Sequence, residues 1–276
     1  MNLTLDLRPS TLITCAPGPA YFGVTNFSAH NIKQVSNEQK ALDQHHALVT
    51  TIEKAGCKVV ILSELPGHPN SVFTKDPSVC TPQGYIKLRM GLPSREGEEQ
   101  WMAETLERIG VPCVKAIEAP GIIEGGDIIL AEKVAFIGQS SRTNAEGIRQ
   151  ISRQFDEMEY EIRTAAVHSP FLHLGGPMTL VSPDTLLCVR NLFPESFFKG
   201  FQRIEVPHTG FMSGNVIPLP NRQVIADQTN LPAITALRQQ GFKVYPLDLS
   251  EFVKGTGGPS CLILQVKYQF AVGSWQ

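Results

Sequence analysis

The chain has 276 residues, 42% of them hydrophobic, enough to bury a substantial core in one large domain or two. Its 24 basic and 26 acidic residues leave a net charge of -2 with no basic run, which argues against nucleic acid or an anionic membrane as the main partner. No segment approaches the ~18 uninterrupted apolar residues of a membrane span, and Met1 to Ser10, with Asp6 and Arg8, lacks the apolar stretch of a signal peptide.

In chain order, one pattern recurs: an amphipathic helix, a glycine, a short strand. The helix ending at Glu53-Lys54-Ala55 meets Gly56 and then Cys57 to Leu62. The helix ending at Glu107-Arg108-Ile109 meets Gly110 and Val111 to Val114; Ser94 is read as its cap, and Trp101, Met102, Leu106 and Ile109 as its apolar stripe. A helix over 144–155 opens on Thr143-Asn144-Ala145-Glu146, which has the form of a capping box, and leads without glycine into Tyr160 to Ala165. A short turn ending at Phe198-Lys199 meets Gly200 and Phe201 to Val206. The helix after Asn230-Leu231-Pro232 ends at Gly241, before Phe242 to Tyr245. Glycine after a helix is the expected left-handed cap.

Between the helices lie paired β segments: 71–79 with 85–90, 128–130 with 134–137, 177–181 with 185–189, and 215–219 with 223–226. The unit reads as ββαβ, used five times with a period of about 50 residues. Closed on itself, such a series makes residues 1–276 a single domain; the periodicity alone leaves an open array equally available. Six cysteines, at 15, 57, 80, 113, 188 and 261, include no Cys-x-x-Cys pair, so the expectation is a cytoplasmic protein with reduced thiols.

Five stretches stand out for chemistry. In Lys254-Gly255-Thr256-Gly257-Gly258-Pro259-Ser260-Cys261, glycines deliver one thiol onto the start of an apolar strand-like run. Most free cysteines are small buried hydrophobes, so Cys261 alone decides nothing. His68 to Pro77 holds Asp76, extended before proline or simply a turn residue. In Ile123-Glu124-Gly125-Gly126-Asp127, two carboxylates bracket a pair of glycines, suited to a cationic ligand or to an ordinary turn. Gly138 to Asn144 places Arg142 at a helix start, where it suits a carboxylate, and Arg89 before Met90-Gly91 is a second arginine of that kind. In Phe171-Leu172-His173-Leu174-Gly175-Gly176, a lone histidine is more often a satisfied core residue; within reach of a cysteine it can serve as base and acid.

Taken together and in order, Phe73-Thr74-Lys75-Asp76-Pro77, Arg89-Met90-Gly91, Glu124-Gly125-Gly126-Asp127, Ser141-Arg142-Thr143-Asn144, Leu172-His173-Leu174 and Gly257-Gly258-Pro259-Ser260-Cys261 resemble the guanidino-modifying enzymes. These include dimethylarginine dimethylaminohydrolases, arginine deiminases and amidinotransferases. The resemblance runs from about residue 11 to 266. It implies a five-bladed α/β propeller with fivefold pseudosymmetry, and no metal or organic cofactor. Cys261 would be the nucleophile and His173 the acid and base. Glu124 and Asp76 would grip the guanidinium, and Arg89 and Arg142 the substrate carboxylate. Phe73, Asn70 and Ser260 would line the substrate site.

The chemistry implied is cysteine-dependent hydrolysis of a guanidino C–N bond through a thiouronium intermediate. The first expectation is dimethylarginine, giving citrulline and a methylamine. Arginine deiminase or dihydrolase activity is the alternative, and a non-catalytic binding propeller is the alternative of another class. The partner is a small guanidino amino acid, and a homo-oligomer is compatible with this reading. Two departures pull apart. Asn70 replaces the acid usual in the dimethylarginine enzymes, and Gly175 replaces the acid that deiminases place two residues after the histidine. The stretch from Cys15 to Val24 is similar to the arginine dihydrolase branch.

Overall fold

The computed structural model describes residues 11–266. The strands, in order, are β1 (Thr11–Cys15), β2 (Lys58–Leu62), β3 (Ser78–Thr81), β4 (Gly84–Lys87), β5 (Cys113–Ala116), β6 (Ile128–Leu130), β7 (Val134–Gln139), β8 (Glu161–Ala166), β9 (Met178–Ser182), β10 (Thr185–Val189), β11 (Gln202–Val206), β12 (Ile217–Leu219), β13 (Gln223–Asp227), β14 (Lys243–Leu247) and β15 (Leu264–Val266). The helices are α1 (Pro19–Phe22), α2 (Glu38–Lys54), α3 (Glu98–Arg108), α4 (Ala145–Glu157), α5 (Leu231–Gln239) and α6 (Ser250–Val253).

These strands form five sheets of three, each with the same plan. The first strand pairs antiparallel with the second, and the second pairs parallel with a third that follows a helix. In the sheet β9-β10-β11 a single 3-10 turn, Glu195–Phe198, replaces the helix. The sheet β15-β1-β2 takes its first strand from the far end of the chain, Thr11 facing Val266 and Ile13 facing Leu264.

Burial explains the sequence pattern. The middle strands are mostly apolar because both faces are covered: β1 and β10 are buried at every position. The third strands are partly exposed, as in β8 with its alternating Glu161-Ile162-Arg163. The turn before each third strand needs a left-handed residue. Gly56, Gly110, Gly200 and Gly241 supply it at φ between +78° and +88°. In the third repeat Glu159 adopts φ +64° instead, which is why no glycine marks that junction.

Three caps differ from expectation. Helix α4 is capped by Asn144, whose side chain accepts from Gly147 N. The Thr143 hydroxyl is drawn away to Asp127. Helix α3 starts from Gly97, and Ser94 donates instead to the Ala29 carbonyl. Asn230 precedes α5 but makes no side-chain cap; its Nδ2 donates to Met212 O. In each case a tertiary contact orients the side chain away from the local N–H donors it was expected to cap.

Among the described residues no helix is long and apolar enough to cross a membrane. All six cysteines are free.

Candidate active site

The plan of the sheets places the chemistry. The loop entering each first strand ends near one point. Asp76 lies two residues before β3, Glu124 four before β6, His173 five before β9, Asn215 two before β12 and Cys261 three before β15. Asp76, His173, Asn215 and Cys261 line one narrow cavity of about 40 Å³, together with Asn70, Phe73, Lys75, Arg95, Arg142 and Ser260. Glu124 lies just behind it, fully buried and bonded to His173. A wider cavity of about 530 Å³ lies among all five first strands and shares with the narrow one only Lys75, Gly175 and Ser260. It contains neither the histidine nor a carboxylate, so the narrow cavity is the candidate site.

Cys261 sits in a 3-10 turn, Pro259–Leu262, and not on the strand that follows. Its N–H donates to Gly258 O at 3.1 Å, and its carbonyl accepts Lys75 N at 3.2 Å. Neighbouring Ser260 is held on both sides by Asn215, whose Oδ1 accepts Ser260 N (2.8 Å) and whose Nδ2 donates to Ser260 Oγ (2.9 Å) and to Gly175 O (2.7 Å). Gly257 must be glycine because a Cβ there would come within 2.0 Å of the Phe73 ring.

His173 Nε2 meets Glu124 Oε2 at 2.7 Å, and both residues are buried. Glu124 Oε1 accepts Gly91 N at 2.8 Å and lies 3.6 Å from Arg142 Nη1. Asp127 is a scaffold for this group: its carboxylate accepts Ser140 Oγ, Thr143 Oγ1 and Leu174 N. It thereby fixes both the loop of Arg142 and that of His173. A Cβ on Gly126 would strike the His173 ring at 2.6 Å, which accounts for the second glycine of the Gly125-Gly126 pair.

Asp76 accepts Gly126 N at 3.0 Å and Arg95 Nη1 at 2.7 Å. Arg95 also donates to Glu98 (2.7 Å) and to Phe73 O (3.0 Å). Arg95 was not legible as a site residue; Arg89 stood in its place. The Arg89 side chain turns away from the narrow cavity, and its Nη1 reaches Gly121 O at 3.4 Å. The contribution of the Arg89-Met90-Gly91 motif is instead the Gly91 N–H on Glu124. Asn70 and His30 each leave one buried polar atom without a partner, Asn70 Oδ1 and His30 Nδ1. Both residues line the cavity, where the Asn70 side chain also acts on the His30 ring.

Protonation follows from these contacts. Burial alone would lower the His173 pKa, but Asp76, the Glu124 bond and Asp127 outweigh it and raise it to about 9. Burial would raise Glu124; the bond from His173 and the charges around it hold it below the ordinary range. Burial, with Asp76 adding to it, pushes the Cys261 thiol up to about 11, against the pull of Gly258, Lys75 and Arg95. At neutral pH the pair is an imidazolium–carboxylate and the thiol is protonated. A cationic ligand between Asp76 and the sulfur would favour the thiolate.

Asp76, Glu124 and His173 each bring one atom within 4.8 Å of the others, the spacing of a metal-ligand set. However, His173 is protonated onto Glu124 and Asp76 is held by Arg95, so the trio suits proton transfer and capture of an organic cation better than a metal ion.

A thiol reachable from the cavity does chemistry only if protons can be moved beside it, and here an imidazolium on a buried carboxylate stands ready to do so. The arrangement is that of a thiol-dependent enzyme. Comparison with known proteins gives the family: residues 23–267 match the model described as N,N dimethylarginine dimethylhydrolase, eukaryotic, and the chain belongs to that family. It is 32% identical to the N(G),N(G)-dimethylarginine dimethylaminohydrolase of Pseudomonas aeruginosa over 82% of this chain and 88% of that protein. A solved structure of that enzyme, a mutant complexed with citrulline, superposes with a TM-score of 0.83 at 29% identity, covering 93% of this chain and 98% of the other. An arginine deiminase of Staphylococcus haemolyticus is 27% identical over 70% of this chain, which spans 61% of its length.

Proposed function

We propose that the protein hydrolyses a guanidino C–N bond of an N-methylated arginine, giving citrulline and a methylamine. The observation that carries this reading is the His173–Glu124 pair buried beside Cys261 in a cavity that also presents Asp76. On this reading residues 1–276 form one five-bladed α/β propeller. The five sheets of identical plan, with site residues at the entry of every first strand, support it.

Asp76 and Glu124 hold the planar cation by charge-assisted hydrogen bonds. With the substrate cation on Asp76, Arg95 Nη1 can give up its contact there for the α-carboxylate alongside Arg142, while Nε and Nη2 stay on Glu98. Arg95 thus takes the role first read for Arg89. Asn70 Oδ1, unpaired in the cavity wall, accepts from the α-ammonium group. Phe73 and Ser260 shape the pocket around the alkyl chain and the reacting carbon.

The bound cation lowers the thiol pKa, the thiol proton is lost to solvent, and the Cys261 thiolate attacks the guanidino carbon. His173 gives its proton to the departing amine, leaving a thiouronium on Sγ. It then takes a proton from water, whose oxygen adds to the same carbon, and collapse releases the ureido product and the thiol. The six free thiols fit a reducing, cytoplasmic setting.

Free arginine is the second reading. Gly175 carries no acid to grip an unsubstituted guanidinium, and a Cβ there would already stand 3.2 Å from Gly126 O and 3.7 Å from Ser260 Oγ, which favours the methylated substrate. Asn70 and the deiminase relative favour arginine. The deciding experiment offers asymmetric dimethylarginine, monomethylarginine and arginine separately, with Cys261→Ser as control. Dimethylamine with citrulline is the expected result. Ammonia from arginine alone selects the deiminase reading, ornithine the dihydrolase reading, and no product from any of the three overturns the proposal in favour of a binding propeller.

A further inference from the structure

His68 lies on the loop between β2 and β3, half-buried and behind the lining of the narrow cavity. Both of its ring nitrogens face carbonyl oxygens: Nδ1 lies 3.0 Å from Pro66 O and Nε2 lies 3.0 Å from Glu96 O. A carbonyl oxygen only accepts, and a neutral imidazole has a single N–H to give. The neutral ring therefore bonds one of these oxygens and turns a lone pair on the other; the imidazolium bonds both. The two bonds span the turns that carry two residues of the cavity. On one side, His68 O accepts Ser71 N at 3.0 Å and leads into the 3-10 turn Pro69–Val72, which holds Asn70. On the other, Glu96 N closes the turn Pro93–Arg95 on Pro93 O at 3.2 Å, and that turn aims Arg95 Nη1 at Asp76. Arg95 Nη2 also reaches Asn70 O, at 3.4 Å, so the two turns meet beneath the ring.

The charged groups around the ring come from three segments. Glu98 and Glu99 open α3; Glu98 interacts electrostatically with His68, and Glu99 Oε2 accepts the N–H of Gly97, which adjoins Nε2. Arg95 and Glu96 belong to the turn that offers the Glu96 carbonyl. His30, on the segment before α2, acts as a like charge. The carboxylates favour a charged ring, and Arg95 and His30 oppose it. In the proposed reaction Arg95 exchanges Asp76 for the substrate carboxylate while it keeps Glu98, and such an exchange needs a fixed turn beneath it. We propose that His68 is a positioning residue for the end of the site that receives this carboxylate: as an imidazolium it ties the Asn70 turn to the Arg95 turn, and as a neutral ring it releases one of them. The inference rests on the reading of Arg95 as the carboxylate ligand, but the strap itself belongs to the ligand-free protein.

The test has two arms. In the first, isotope-labelled histidine and arginine side chains are followed by NMR without ligand, from about pH 6 to 8. Two His68 ring N–H signals, absent from His68→Phe, are expected at the acid end, with one of them lost as pH rises. The Arg95 Nε–H signal should differ between the two proteins at the acid end and coincide at the alkaline end. Fewer than two ring signals, or an Arg95 signal indifferent to the substitution, overturns the proposal. In the second arm KM and kcat are measured over the same range for the guanidine that the enzyme accepts. At the acid end the KM of His68→Phe should exceed that of the wild type about 3- to 10-fold, the worth of one hydrogen bond, with kcat changed far less. That ratio should close towards one at the alkaline end; Glu98 titrates in both proteins and cancels from it. His68→Arg, a permanent cation with several donors, should keep the low KM throughout. A ratio that stays constant with pH overturns the proposal, because a merely structural role would give it; so does a loss confined to kcat. Should His68→Phe fail to fold, His68→Gln carries the same comparison. In a protein inert towards guanidines the proposed hydrolysis fails, and the strap is then judged on the first arm alone.

Discussion

The cavity is bordered by two buried charge clusters built from similar parts and closed by different bases. In one, Asp76 and Glu98 share Arg95; in the other, Glu124 carries His173 while Asp127 secures the loops around them. Arginine cannot give up its proton in a protein, so the first cluster is a fixed electrostatic wall. Histidine can, so the second is a store for one proton beside a thiol. Placing the permanent cation where charge must stay, and the titrating one where a proton must travel, divides ligand binding from chemistry within a few ångströms.

The sharpest way to break this division is His173→Asn. Turnover of the guanidine that the enzyme accepts should fall about 10²- to 10⁴-fold, with substrate affinity changed far less. An equal loss in affinity would mean that His173 is part of the wall. Next in size is Arg95→Met, which strands two buried carboxylates. A loss of about 3–5 kcal/mol in a urea titration is expected, well above that of His173→Asn. Equal losses would erase the distinction between the clusters. Asp127→Asn should cost about 1–3 kcal/mol, because an amide cannot accept from Ser140, Thr143 and Leu174 as a carboxylate does.

The pH dependence of stability refines the comparison further. The folded pKa of His173, about 9, lies above its ordinary 6.5. The stability it contributes is therefore complete below about pH 6.5 and is lost as pH rises through 9. Glu124 is depressed, so its contribution is present above its ordinary 4.5 and disappears as pH falls below it. Glu98 runs the other way. Burial raises it from 4.5 to about 7 despite Arg95, so stability declines as pH climbs between those values. Glu98→Gln should flatten that slope while leaving the one between 6.5 and 9 intact, as thermal melts across the range would reveal.

The strands and the helix–glycine junctions were readable from sequence because each depends on neighbours within a few residues. Burial of both faces makes β10 an apolar run, and a left-handed turn calls for Gly56 or Gly241; β1, whose antiparallel partner lies at the far end of the described chain, gave no such signal. The motifs around Asp76, Glu124, Arg142, His173 and Cys261 were readable too, and the fold brings these residues together. What stayed hidden depends on partners far along the chain. Asn215 gave no signal, since its use is to hold Ser260, 45 residues away. Arg95, only six residues from Arg89, is distinguished by a 3-10 turn, Pro93–Arg95, that aims it at Asp76. Thr143 looked like a cap because the sequence does not reveal that Asp127 claims its hydroxyl.

The pairing of β15 with β1 carries a consequence for synthesis. Residues 11–13 leave the ribosome well before their antiparallel partner and can pair with it only when residues 264–266 have emerged. Cys261 stands three residues before that partner strand. The edge of β1 is thus covered in the same step that brings the thiol to the histidine. A nascent chain that stops short of residue 261 carries a waiting strand edge and no thiol at this position, so the last strand and the thiol arrive together.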